Sequence, residues 1–364
     1  MNAAAGAPSL SSTGSGWTLV TGGAGFIGSE LVAQLVAEGR RVRVLDNLET
    51  GRRDNLAGLP GVAGEDAPGA GCELRVGDVR DPAALAAALA DVDEVFHLAC
   101  LNLRRSLRHP EESHEVNATG TLRLLEATRR VGVRRFLHVS SSEVYGSCAG
   151  GPRRRRGMDE DHPTRPTTAY GAAKLAGEAY ARAYHRAYGL PVVIVRPFNA
   201  YGPRSHHEGD AGEVIPRFIV RALAGRPLAV FGDGRQSRDF THVRDVARGL
   251  RLAAACGAAV GETLNLGSGR EIPVGVLARA IRGLCGRPQL PIVHQAPRPG
   301  DVRRLRADAG RARRLLGWAP QVAWEEGLGE LVAELDRRRP PIEELDANEG
   351  GASSWDCIAK AAGR

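Results

Sequence analysis

Tyr170 and Lys174 stand four residues apart in a segment of helical character, Thr168 to Tyr188, so their side chains can meet on one helix face. A lysine ammonium beside a phenol favours the phenolate. Helped by a further positive charge, it lowers the tyrosine pKa from about 10 toward neutrality and makes the phenolate a general base for a substrate hydroxyl. Taken alone, the spacing is common and more often describes a buried ring and a surface amine. Its company favours chemistry: Ser140-Ser141-Ser142-Glu143 closes a strand candidate, Arg135 to Val139, where a hydroxyl can share the substrate's proton.

A second cluster binds rather than reacts. Thr21-Gly22-Gly23-Ala24-Gly25-Phe26-Ile27-Gly28 lies between an apolar run, Trp17 to Val20, and a run of helical periodicity, Ser29 to Ala37. In a strand, glycine turn and helix of this kind, the glycines let the backbone approach a diphosphate, which the helix amides then bind. Asp46, closing the apolar run Arg41 to Leu45, falls about 20 residues on, where an acid meets the ribose of a dinucleotide.

These residues need a scaffold, and the chain alternates strands with helices. Glu73 to Val76, Asp93 to Leu98, Arg135 to Val139 and Pro191 to Val195 are strand candidates, interleaved with helices over Pro82 to Leu89, Glu111 to Arg130 and Thr168 to Tyr188. That alternation predicts an α/β fold with a Rossmann-type doubly wound parallel sheet. Ligands of such sheets lie beyond the carboxyl ends of the strands, where the glycine loop, Asp46, Asp78, Ala99 and Ser140 to Ser142 all fall. From residue 197 the elements shorten and Gly, Pro and Arg increase. The expected division is a disordered tail over 1–16, a dinucleotide-binding domain over 17–196, a smaller substrate lobe over 197–337 whose helices can interleave with the first, and a tail over 338–364.

With 43% hydrophobic and 25% charged residues in 364, the chain has the composition of a globular protein able to bury a core without disulfides or metals. A net charge of +7 favours anionic ligands. The arginines are scattered apart from Arg153 to Arg156, no aromatic interleaving accompanies that run, and nucleic acid is not expected; the run reads as a solvated loop or an aid to anion binding. Six separated cysteines without a Cys-x-x-Cys read as free thiols in a reducing compartment, with no metal site. No apolar run approaches the roughly 20 residues that span a bilayer, so a cytoplasmic protein is expected.

Together, the glycine loop, the strand-end serine and Tyr170-Gly-Ala-Ala-Lys174 resemble the extended short-chain dehydrogenase/reductase family, and more narrowly its nucleotide-sugar epimerases and dehydratases, over roughly residues 17 to 330. The resemblance implies an NAD retained through the cycle, taking a hydride from a sugar and returning it. By motif position, Gly22, Gly25, Phe26, Ile27 and Gly28 would hold the diphosphate, and Asp46 with Asn47 the adenosine ribose, Asp46 repelling a 2′-phosphate and so favouring NAD over NADP. Asp78 and Val79 would flank the adenine. Leu98, Ala99, Cys100 and Asn117 would sit along the cofactor. Lys174 would bond the nicotinamide ribose, and Ser141 would be the catalytic serine. For the nucleotide sugar, UDP foremost, the resemblance implies Asn199, Val214, Arg238, Arg298 and Asp301, with Glu213 to Phe218 and Phe231 to Gly234 forming the base pocket. It also implies a homodimer through the two long helices.

Three reactions share a 4-keto sugar: epimerisation, loss of water across C5 and C6, and loss of a C6 carboxylate. Related dehydratases carry an Asp-Glu pair where this chain has Ser142-Glu143. Glu143 can serve as the base at C5, but the Ser142 hydroxyl is a poor acid. Thr168-Ala169-Tyr170-Gly171 and Arg238-Asp239-Phe240 are closer to the epimerase style. The expectation is C4 epimerisation of a UDP-sugar of the glucose or glucuronate type, with 4,6-dehydration or decarboxylation as alternatives on the same scaffold and a noncatalytic NAD-sensing protein as the alternative of another class.

Overall fold

Trp17–Thr21 (β1) is apolar and wholly buried, as expected of a strand covered on both faces. In the computed structural model, which describes residues 16–61, 71–147, 157–297 and 301–346, it is an interior strand of the main sheet. Phe26–Ala37 (α1) follows, then Val42–Asp46 (β2), Cys72–Val76 (β3), Pro82–Ala88 (α2) and Val92–His97 (β4). Leu103–Arg108 (α3) and Pro110–His114 (α4) lead through a π-helical turn, Glu115–Thr119, into Gly120–Val131 (α5). Arg135–Val139 (β5), Ala169–Tyr188 (α6) and Val192–Pro197 (β6) complete the first half. Arg153 to Arg156, Arg298 and most of both expected tails lie outside the described residues.

The second half runs Ala200–Tyr201 (β7), Val214–Leu223 (α7), Leu228–Phe231 (β8), Ser237–Asp239 (β9), Thr241–His242 (β10), Val243–Ala255 (α8), Thr263–Leu266 (β11), Glu271–Pro273 (β12), Val274–Leu284 (α9), Ile292–Gln295 (β13), Gly310–Leu316 (α10) and Trp324–Arg338 (α11). The main sheet has seven parallel strands in the order β11-β6-β5-β4-β1-β2-β3. The order reverses between β1 and β4, and the crevice beyond their carboxyl ends is the ligand position of a doubly wound sheet.

Residues beyond 197 do not stay in one lobe. The β11 strand pairs with β6 in the main sheet, and α8 packs on α1, its Val246, Ala247 and Leu250 joining the core under the sheet. Trp318, fully buried, fastens α8 by donating from its indole to Asp245 O at 3.0 Å. The remaining stretches form the smaller lobe, in which α7, α9 and α11 bury Ile215, Phe218, Leu277, Ile281 and Leu331 against the short pairs β8·β13 and β9·β12. The four-residue run Thr263–Leu266 carries only two apolar side chains, Leu264 and Leu266, within a Gly-rich region, too short a signal to stand out as a seventh strand.

Caps fix the two helices that matter most. The α1 N-terminus begins at Gly25, with no side-chain cap and no acid in the first turn, so its first amides stay open to an anion. Thr168 caps α6 by accepting from Gly171 N at 3.1 Å, and Gly189 ends the helix in the left-handed region at φ 69°.

Candidate active site

A cavity of about 520 Å³ lies beyond the carboxyl ends of the strands, between the sheet and the smaller lobe. The glycine loop forms one end. Gly22 has φ +70°, and a Cβ there would come within 2.7 Å of Ala99 N; a Cβ at Gly28 would lie 2.1 Å from Gly22 O. Only glycine lets the loop fold this tightly and present its backbone to a phosphate. Asp46 is buried at the end of β2, accepting from Ala24 N and Leu48 N, both at 2.9 Å. Burial raises its pKa, and the two backbone donors oppose the rise. Asn47 donates to Asp78 at 3.1 Å, while the fork of Arg80 on Asp78 holds that carboxyl down at about 2.

All the cofactor residues read from the sequence line this cavity except Asn117. Asn117 is buried in the π turn, where its amide closes a reciprocal pair with the Leu101 backbone, at 3.1 and 3.0 Å, and reaches Ser113 Oγ at 3.1 Å. It therefore holds the loop that carries Cys100 and Leu101 and is not itself in the wall.

Ser141, Tyr170 and Lys174 all line this cavity. Ser141 Oγ accepts from Glu143 N at 3.2 Å and also hydrogen-bonds the Tyr170 phenol. Lys174 is 2% exposed, one turn along α6. The sequence predicts a Tyr170 pKa lowered by its lysine, and in the ligand-free chain the direction is the opposite. Burial drives it well up, the neighbouring Cys100, Glu143 and Glu213 push the same way, and the Ser141 bond opposes them. Burial also lowers Lys174, and Glu178 on the next turn helps to hold its charge. Lys174 is not among the groups that act most strongly on the phenol, and desolvation dominates its shift. As a whole residue Tyr170 is half-buried.

The far end belongs to the smaller lobe. Asn199, Val214, Arg238 and Asp301 all line it. Arg238 pairs with Asp301 and donates to Val302 O, so a guanidinium suited to a diphosphate rests on an internal carboxylate. Asn199 Oδ1 and Gln236 Oε1 are buried without a hydrogen-bond partner among the described residues, as expected of groups awaiting a polar ligand. Of the stretch Phe231 to Gly234, only Phe231 reaches the wall. Glu143 faces Arg238, and burial raises its pKa.

The sequence did not single out Arg104, His206 or Gln236, which also line the cavity. Arg104 was hidden among the adjacent arginines of α3, and Gln236 was legible only as the neighbour of the Ser237-Arg238 motif. Glu213, expected at the base pocket, lines the same cavity, and its charge acts on the Tyr170 phenol.

A seven-stranded doubly wound sheet, a glycine cradle with a ribose-directed acid, and a Ser, Tyr and Lys set at the strand ends define a dinucleotide-dependent enzyme acting on a hydroxyl-bearing substrate. The chain belongs to the NAD-dependent epimerase/dehydratase family, whose model matches residues 18–267. It is 41% identical over 319 residues to the UDP-glucose 4-epimerase of Mycolicibacterium smegmatis, covering 86% of this chain and 97% of that one. Among solved structures, the UDP-glucose 4-epimerase of Thermotoga maritima with UDP-glucose superposes with a TM-score of 0.80 at 33% identity, covering 89% of this chain and 100% of that one. The dTDP-glucose 4,6-dehydratase DesIV of Streptomyces venezuelae, solved with NAD bound, gives 0.81 at 37% identity over 89% and 98% of the two chains. The cofactor is NAD, and the glycine cradle, the first amides of α1 and Asp46 fit it.

Proposed function

We propose that the protein epimerises a UDP-sugar at C4 through a transient 4-keto sugar. The observation that carries this is the meeting of Ser141, Tyr170 and Lys174 in one cavity with a nucleotide-sized, arginine-bearing end. When bound, NAD supplies the acceptor and donor of the C4 hydride. Tyr170 takes the O4 proton and later returns it, with the Ser141 hydroxyl holding the same oxygen and Lys174 favouring the phenolate. At the other end, Arg238, released from Asp301, would meet the diphosphate, and Asn199 would donate and accept beside it. Arg298 is assigned to the same diphosphate by motif position alone.

Epimerisation is favoured over dehydration by the residue before Glu143. Ser142 is 3% exposed and carries a hydroxyl where proton donation to a leaving C6 oxygen needs a carboxyl. Glu143, with its raised pKa and its place beside Arg238, remains able to act at C5, so decarboxylation or dehydration is the second reading. No helix among the described residues is long and apolar enough to cross a membrane, and we infer a cytoplasmic enzyme. We also infer a homodimer through α5 and α6, which pack together and leave Val131 and Tyr188 half exposed or more. The test is incubation of purified protein with UDP-glucose or UDP-glucuronate: the C4 epimer without net NADH is expected, and carbon dioxide or a stable 4-keto-6-deoxy sugar would overturn the proposal.

A further inference from the structure

Glu178 lies on α6 about one turn beyond Lys174 and two beyond Tyr170, so the three share one face of the helix. Its carboxyl is wholly buried, yet it is crowded with donors. Ser140 Oγ donates to it at 2.6 Å, Arg196 gives its Nε at 2.7 Å and its Nη2 at 2.6 Å, and Arg182 reaches in from the rim at 2.7 Å. Burial pushes this carboxyl up, but the Arg196 fork and the Ser140 hydroxyl hold it below its usual value, and it is ionised.

Arg196, on β6, is buried as well. Its remaining terminal nitrogen, Nη1, donates to the Tyr145 phenol oxygen at 2.8 Å, and Tyr145 donates in turn to Asn265 Oδ1 on β11 at 2.7 Å. These bonds bracket the reacting serine. Ser141 caps the short turn Ser142–Tyr145, which Ser140 precedes and Tyr145 closes. Ser140 is bonded to one member of the ion pair and Tyr145 to the other. The stretch that carries Ser141 and Glu143 is thus held at both ends by a pair rooted in the helix that carries Tyr170 and Lys174. Stability is a poor reason for the arrangement, because the cost of taking two charges out of water offsets most of their attraction. Direction is a better one: a bidentate fork fixes orientation as well as distance, and a small misplacement of reacting groups costs rate steeply.

Resting on the proposal that Ser141 and Tyr170 act together on the O4 proton, we propose that Glu178 and Arg196 are positioning residues for the reaction, a buried clamp that works through Ser140 and Tyr145 to set the Ser141 hydroxyl at the Tyr170 phenol. Neither Glu178 nor Arg196 lines the cavity, so their effect passes through the residues they hold.

The experiment uses the full chain with NAD and compares wild type, Ser140→Ala, Arg196→Lys and Arg43→Lys. Ser140→Ala deletes the link from the pair to the strand end, and Arg196→Lys keeps the charge but loses the fork. Arg43→Lys makes the same change in a buried arginine of β2 that does not line the cavity and donates to Glu73 at 3.1 Å and Ala88 O at 3.0 Å. Steady-state kinetics with UDP-glucose, NAD affinity, thermal unfolding and hydrogen exchange of peptides over 140–146 are measured on each. Ser140→Ala is expected to lower kcat about 30-fold and Arg196→Lys about 100-fold, with KM within threefold and NAD affinity within twofold of wild type. Exchange over 140–146 is expected to quicken about tenfold in both, the loss of one hydrogen bond. Arg43→Lys is expected to lower thermal stability and leave kcat within twofold. An unchanged kcat or unchanged exchange in Ser140→Ala, or a fall in kcat as large in Arg43→Lys as in Arg196→Lys, would overturn the inference. Should Arg196→Lys fail to fold, Ser140→Ala, which loses a single hydroxyl, still decides. Absence of turnover in wild type would count against the epimerase proposal instead, while the exchange rates would still judge the clamp.

Discussion

The two ends of the cavity satisfy their polar groups in different ways. At the cofactor end most partners are backbone, Asp78 with Arg80 and Asn47 excepted: Asp46 takes two amides, Asn117 clamps Leu101, and the glycine loop bonds to itself. At the substrate end more of them are side chains or none, with Arg238 on Asp301 as well as on Val302 O, and Asn199 and Gln236 each with a buried oxygen unpaired among the described residues. Backbone partners cannot be exchanged without unfolding the element that carries them. Side-chain pairs can be traded for a ligand's oxygens at little cost. One wall is thus built for a resident cofactor and the other for a visitor.

Changes at the reaction centre should affect turnover while sparing both ends. Tyr170→Phe removes the phenol proposed to take the O4 proton and should lower kcat by about 10³, within the range for a general base, with NAD still bound. Absorbance of bound NAD and turnover measured on the same sample would separate the two effects.

The cofactor end should be the more brittle. Gly28→Ala would place a methyl 2.1 Å from Gly22 O, backbone that cannot yield without moving the loop. We expect NAD affinity to fall by about 10²-fold, from the strain of overpacking and the loss of amide contacts together. UDP affinity should be unchanged, and calorimetry with each ligand would sharpen the contrast between the walls.

A smaller loss is expected at the substrate end. Arg238→Ala should weaken UDP-glucose about 30-fold, since a charge-assisted bond is worth roughly 1.5–3 kcal/mol, and should leave NAD untouched. The Asp301 carboxylate left behind would add its repulsion to the loss. Smallest is a pH effect at Asp46. Because burial raises its pKa, the acceptor takes up a proton at a higher pH than an ordinary aspartate, so NAD affinity should fall a few-fold as the medium is acidified and should stay flat in Asp46→Asn. Fluorescence titration across pH would read this directly.

The same contrast explains what could be read from the chain. The cofactor wall depends on local motifs, so Gly22 to Gly28, Asp46 and Ala99 were legible one strand at a time. Tyr170 and Lys174 share one helix and were equally plain. The direction of the Tyr170 shift was not, because desolvation depends on everything that covers the ring, including Glu213 from the other lobe. Nor was the role of Asn117, which turns on a π turn that redirects its amide toward Leu101. The β11 strand escaped notice because four residues at the sheet edge, Thr263–Leu266, are supported by β6 and the helices around it more than by their own pattern. Glu213 shows the limit most clearly. Its neighbours in sequence suggest a base pocket, while the charge of Arg104 acts on it and its own charge acts on Tyr170, both from segments distant in sequence.

The central claim, that hydrogen leaves C4 and returns to it without passage through solvent, is tested most directly by running the reaction in D2O and analysing the product by NMR. The account predicts the C4 epimer of UDP-glucose or UDP-glucuronate with protium at both C4 and C5. Deuterium at C5, together with a 4-keto-6-deoxy sugar or a pentose, would contradict it.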